Sequence, residues 1–123
     1  MTCEIGDIVL ISKFKYPDGT PGSLHFFVVM DIKQDEFTLV NIEYLCFLIS
    51  SNTSKNNTIN PNFPYNEPIF PADEIRLPEP SHVKCDILIS IVNKDDIIMN
   101  IGKITQEQYD RFIELYEESL SQD

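Results

Sequence analysis

The sequence contains no apolar run approaching the about 18 residues that a membrane-spanning helix needs, which excludes a helical membrane span. Basic residues are scarce: nine Lys and Arg face twenty Asp and Glu, a net charge of −11 with neutral His. Arg76 and Arg111 are the only arginines. A generic nucleic-acid binder is basic, so this balance argues against non-specific binding to DNA, RNA or an anionic membrane. It leaves room for a small local positive cleft. The deficit is uneven, −3 over residues 1–60 and −8 over residues 61–123, so the C-terminal end is the acidic pole. Cysteine is sparse and scattered at Cys3, Cys46 and Cys85, without a CxxC pair. Together with His25 and His82 these residues lack metal-ligand spacing, so neither a metal nor a cofactor is expected. Met1 is followed by Thr2, Cys3 and Glu4, which is not a secretory leader, and an odd cysteine set then fits a reduced cytoplasm.

What is present is an ordinary globular composition, 42% hydrophobic and 24% charged in 123 residues. That length suits one domain, residues 1–123, with a core that needs no staples. The N-terminal two-thirds reads as short strands: Asp7 to Phe14, Phe26 to Ile32, Phe37 to Asn41 and Tyr44 to Ser50. Pro17-Asp18-Gly19-Thr20-Pro21-Gly22 is a dense turn cluster between the first two. Residues 53–82 form a variable stretch rich in Asn and Pro, read as a loop with an edge strand near Asp73 to Leu77, because proline cannot donate to a central ladder. Val83 to Val92 and Ile97 to Ile101 complete the strands. A helix follows over 105–120. Thr105 and Gln108 form a capping box, Ile104 and Tyr109 a hydrophobic staple. Tyr109, Phe112, Ile113, Tyr116 and Leu120 make one apolar face, and Glu107, Asp110, Glu114, Glu117 and Glu118 the other. Short strands without an intervening helical period predict a mainly β fold, a sandwich or small barrel, closed by a C-terminal helix.

Several segments, in order, resemble the MazF/PemK toxins, the ribonucleases of bacterial toxin–antitoxin modules. Gly6-Asp7-Ile8-Val9-Leu10 resembles their opening and Phe26 to Met30 their second strand. Phe47-Leu48-Ile49-Ser50-Ser51-Asn52 is similar to the family's apolar-Pro-Leu-Thr-Ser-Asn segment. Val83-Lys84-Cys85-Asp86 resembles its Val-Arg-Cys-Asp strand, and Ile101-Gly102-Lys103-Ile104-Thr105 its Ile-Gly-Lys-Leu-Ser before the last helix. The match spans about residues 5–119 and covers 53–82 loosely. It implies an SH3-like barrel, a homodimer, metal-independent cleavage of single-stranded RNA at short motifs, and a small antitoxin that blocks the groove.

RNA can be cut by its own 2′-hydroxyl. The protein must then help remove that proton, stabilise charge on pentavalent phosphorus and protonate the leaving oxygen. By the resemblance, the catalytic candidates are His25, Ser50, Lys84 and Asp86. His25 stands where the family has an Arg, followed by Phe26 for Pro. An Arg grips phosphate with two parallel bonds, whereas His titrates near neutrality, so this departure implies weakened activity. Ser50 replaces the family's Thr and keeps its hydroxyl. Lys84 replaces an Arg and Asp86 keeps the Asp; on a strand the two share a face. Each also has a plain reading: a loop-edge histidine, a strand-ending serine, a solvent-facing ion pair. Cys85, turned the other way, reads as core. With so little Arg, RNA contacts fall to Lys13, Lys15, Ser51, Asn52 and Lys55. Lys13 and Lys15 alternate onto one face as a weak basic stripe.

Two other functions compete. One is a catalytically silent member of the fold that acts as a binding or interaction module, suggested by His25, the shortage of Arg and the acidity. The other is poisoning of a protein target such as gyrase, as the similar CcdB toxins do.

Overall fold

The computed structural model describes residues 3–51 and 64–121. Six strands form one antiparallel sheet: β1 (Asp7–Lys15), β2 (Pro21–Gln34), β3 (Asn41–Ser50), β4 (Asn66–Ile69), β5 (Ser81–Ile91) and β6 (Ile97–Lys103). Their order across the sheet is β4-β5-β3-β2-β1-β6. A 3₁₀ turn, Lys94–Asp96, links β5 to β6, and α1 (Gln106–Leu120) follows β6.

The long apolar runs have a physical cause: the central strands are buried on both faces. In β2, Val28 and Met30 point into one core while Phe27 and Val29 point into another. In β3, Phe47 and Ile49 join the first, and Tyr44, Cys46 and Leu48 the second. The first core lies under α1 and contains Phe112 and Leu115. The second is enclosed by the curl of the sheet, which brings β1 against β5 although the two are not neighbours in the ladder. The sheet is small-barrel-like without closing as a continuous ladder. Instead, the segment after β4 lies along the outer edge of β6. Arg76 N donates to Ile101 O at 2.9 Å and Lys103 N to Glu74 O at 3.2 Å. Ile75 and Leu77 from this segment are buried in the helix-side core. This edge is therefore covered, which removes a template for unwanted pairing.

The helix begins as its sequence predicts. Gln108 N donates to Thr105 Oγ1 at 3.1 Å, and Thr105 N to Gln108 Oε1 at 2.8 Å. Tyr109 hydroxyl donates to Met30 O at 3.0 Å, which fastens the first turn to β2. Phe112 and Leu115 are the buried residues of α1. Leu120, expected on the apolar face, is 66% exposed, because it lies a full turn beyond Leu115, past the last buried contact.

Two expected strands are elsewhere. Phe37 to Asn41 is not a strand: Asp35 Oδ1 accepts from the amides of Phe37 and Thr38, both at 2.9 Å, and Leu39 has φ +58°. Turn chemistry at the aspartate overrides the apolar pattern, and Phe37 is 93% exposed. The edge strand is β4, Asn66–Ile69, rather than Asp73 to Leu77, which forms only isolated bridges from Ile75 to Ala72 and Gly102. A proline, Pro68, is tolerated in β4 because β4 is the last strand of the sheet.

Candidate functional site

The register of β2, β3 and β5 builds the candidate site. Phe26 pairs with Ile49, and Ile49 with Val83. Ile49 and Val83 belong to the helix-side core and Phe26 packs against it. One step along the strands every side chain turns to the opposite face. There Ser50 pairs with His82, and the β2–β3 ladder, which ends at Phe26–Ile49, sets His25 beside Ser50 when its register is carried one step further. His25, in turn, pairs with Ile11 of β1, a member of the second core. The result is a cross-strand row, His25–Ser50–His82, on the face turned away from α1. Side chains directly opposite in such a ladder have Cβ atoms about 4.5–5.5 Å apart.

His25 is half-buried, and its ring stands edge-on to Phe14 with centroids 5.6 Å apart. Nδ1 lies 2.7 Å from the Ser23 carbonyl oxygen. A carbonyl can only accept, so Nδ1 carries the proton and Nε2 is left for other work. His82 is buried, 8% exposed. Lys84, two residues on in β5, shares its face, is half-buried and pairs with Asn66 of β4. The structure therefore gathers His25, Ser50 and Lys84 on one side of the sheet. Asp86 is exposed, within the stretch where the β3–β5 register shifts: Phe47 pairs with Leu88 but Ile49 with Val83, so β5 carries extra residues there. Lys84 and Asp86 form no ion pair among the described residues. Between them Cys85 is fully buried in the helix-side core; burial first, then the Glu67 charge, pushes its thiol pKa up.

Lys13 and Lys15 are exposed at the end of β1. They line a groove of about 530 Å³ with Phe14, Ser90, Val92 and Asp96. Phe14 also carries the His25 ring, so this groove adjoins the histidine end of the row. Ser51 is exposed just beyond β3, and Asn52 and Lys55 lie outside the described residues. Neither arginine is available to the row. Arg76 donates to the carbonyls of Asn100 and Ile101, and Arg111 to Glu67 and Glu114. The acids of α1 stand on the opposite side of the sheet. Among the described residues no group of three His, Cys, Asp or Glu could hold a metal ion, and no helix is long and apolar enough to cross a membrane.

Sequence reasoning missed His82 as a member of this site. The signal was present: beginning β5 at Ser81 rather than Val83 would have placed His82 on the face of Lys84 by simple alternation.

A six-stranded, small-barrel-like antiparallel sheet sealed by a C-terminal helix is the MazF-like fold. Among solved structures with this architecture is the Mycobacterium tuberculosis toxin MazF-mt6, with a TM-score of 0.62 over 95% of this chain and 98% of that one, at 14% identity. At that identity the likeness establishes the fold. No protein-family model matches the sequence, and no curated protein matches it.

Proposed function

We propose that this protein is a toxin of the MazF type, a metal-independent endoribonuclease that cuts single-stranded RNA by attack of the 2′-hydroxyl on the adjacent phosphodiester. The observation that carries this reading is the register, which sets an imidazole, a hydroxyl and an ammonium on one face. Ser50 Oγ donates to a phosphate oxygen. Lys84 offsets the charge that develops on the equatorial oxygens. His25 Nε2 exchanges a proton with the sugar or the leaving oxygen. Lys13 and Lys15 hold the strand in the groove beside Phe14, and Ser51, next to Ser50, adds a polar contact; Asn52 and Lys55, outside the described residues, are proposed as further contacts from the sequence alone. Asp86, exposed and without an ion pair to Lys84 among the described residues, stands at the edge of the site. Kinship of fold extends the proposal to a homodimer, a cognate antitoxin and a cytoplasmic setting, in which the three free, buried cysteines remain thiols.

The test is direct. Purified protein is given a long mixed-sequence RNA in the presence of EDTA. Discrete fragments ending in 2′,3′-cyclic phosphate are expected, and Ser50→Ala and Lys84→Ala each slow cleavage at least about tenfold. Cleavage unchanged in both variants refutes the site. A second reading, a catalytically silent binding module, is favoured by the engagement of both arginines in structural contacts and by the net charge of −11. Intact RNA without growth arrest on expression would select it. Intact RNA with inhibited DNA supercoiling would select a gyrase poison instead.

A further inference from the structure

The geometry points to His82 as a second catalytic proton-transfer residue, working across Ser50 from His25. This inference rests on the cleavage reading above and supplies what that reading lacks. Cleavage by an internal hydroxyl needs two proton transfers, one off the attacking oxygen and one onto the leaving oxygen. For in-line displacement they fall on opposite sides of the phosphorus. A single titrating residue serves one of them well.

The row provides a group on each side. Ser50 is paired directly with His82 on β5, and the same ladder carries His25 on β2 at its other flank. The strand spacing puts the Cβ atoms of His25 and His82 on either side of Ser50, each about 4.5–5.5 Å from it. His82 is 8% exposed, yet its ring makes no hydrogen bond among the described residues. Among the described residues no side-chain nitrogen sealed from solvent lacks a partner, so the ring nitrogens of His82 keep an opening to the outside. A largely buried ring whose nitrogens still reach solvent can exchange a proton there without a protein partner to hold it. The groups facing it are Ser50 on β3 with His25 beyond it, Pro68 on β4, and Lys84 on its own strand with Asn66 opposite. Lys84 is the one cation among them, and no carboxylate shares the row.

In the step that follows, one neutral imidazole takes the 2′-hydroxyl proton as the 2′-oxygen bonds to phosphorus. The bond from phosphorus to the 5′-oxygen breaks, and that oxygen takes a proton from the other ring, an imidazolium. The products are a 2′,3′-cyclic phosphate and a 5′-hydroxyl. The two rings finish with their protonation exchanged, and water restores them.

The experiment is a pH–rate profile of RNA cleavage by the full chain and by His82→Gln and His25→Gln. The wild-type profile is bell-shaped, one limb for each imidazole. His82→Gln loses one limb of that profile and about 10²–10⁴-fold in kcat, with KM for RNA little changed. A His82→Gln enzyme that keeps both limbs and its rate overturns the assignment while leaving the cleavage reading intact. RNA left uncut by the wild-type chain overturns the cleavage reading and the assignment with it. A second measurement does not depend on the variant folding. The chain has two histidines, hence two imidazole C2–H proton resonances. An uncleavable 2′-O-methyl RNA oligonucleotide is expected to displace the titrations of both, whereas displacement of the His25 resonance alone overturns the proposal.

Discussion

Replacing Gly102 with alanine is the sharpest test of how the sheet is finished. Gly102 lies in β6 at φ +155°, where the segment after β4 crosses it. A Cβ placed there would fall well inside the contact distance of the Glu74 carbonyl oxygen and 3.0 Å from Ile75 Cα. Both obstacles are backbone, so no side chain can rotate away. Relief requires residues 74–76 to lift off the strand. That breaks Lys103 N to Glu74 O and Arg76 N to Ile101 O, each worth about 0.5–1.5 kcal/mol. It also draws Ile75, 6% exposed, partly out of the helix-side core, where full burial of such a side chain is worth about 1.5–3 kcal/mol. The expected loss is roughly 3–5 kcal/mol, a large part of the stability of a domain this size. At an unfolding entropy of about 2.1 cal/mol/K per residue, a chain of 123 residues loses about 4 °C of Tm per kcal/mol, so the midpoint falls by roughly 12–20 °C. Thermal melting followed by circular dichroism reads this. Gly19→Ala is the control: it also has a positive φ, +89°, but nothing within 4 Å of the added methyl, so it costs only about 1–2 kcal/mol. Equal drops in the two variants, or a Gly102→Ala protein melting with wild type, would refute the claim that close approach adds to the backbone angle in requiring this glycine.

Two further outcomes are expected. Phe112→Ala should cost about 3–5 kcal/mol, because the ring is 1% exposed beneath α1; an unchanged melting temperature would mean that the helix does not seal that core. Asp35 has its pKa lowered by hydrogen bonds from the Thr38 and Phe37 amides and then the Thr38 hydroxyl. A carboxyl depressed in the folded state stabilises above its ordinary pKa and loses that contribution as pH falls through the depressed value. The amide resonances of Phe37 and Thr38 should therefore titrate below the usual aspartate range, and titration within that range would refute the contacts.

Local signals in the sequence were read correctly where the physics is local. The capping box at Thr105 and Gln108 and the burial of Cys85 both depend on residues within a few positions of each other. The mainly β class followed from short strands and turn punctuation. Other features depend on partners far along the chain. Phe37 to Asn41 has strand composition, but Asp35 captures its amides first. Residues 73–77 hold their place through β6, and no pattern within them announces it. Leu115 is buried and Leu120 is not because the extent of the sheet beneath α1, rather than helical periodicity, decides the matter. The row of His25, Ser50 and His82 was the least legible. Two of its members came from resemblance, and the third needed the start of β5 and its register against β3, which are properties of the assembled sheet.

The sheet between α1 and this row gives the molecule a front and a back. On the back, the helix exposes Glu107, Asp110, Glu114, Glu117 and Glu118. On the front stand two imidazoles, a serine hydroxyl and a lysine. The acids of α1 repel a polyanion from the rear, whereas the front carries Lys13, Lys15 and Lys84 alongside acids such as Asp96 and Asp86. Dissolved salt weakens the rear repulsion over about 8–10 Å and touches the short-range front contacts less. Under the proposed function, moderate ionic strength would ease the approach of RNA, the reverse of the behaviour of a basic partner.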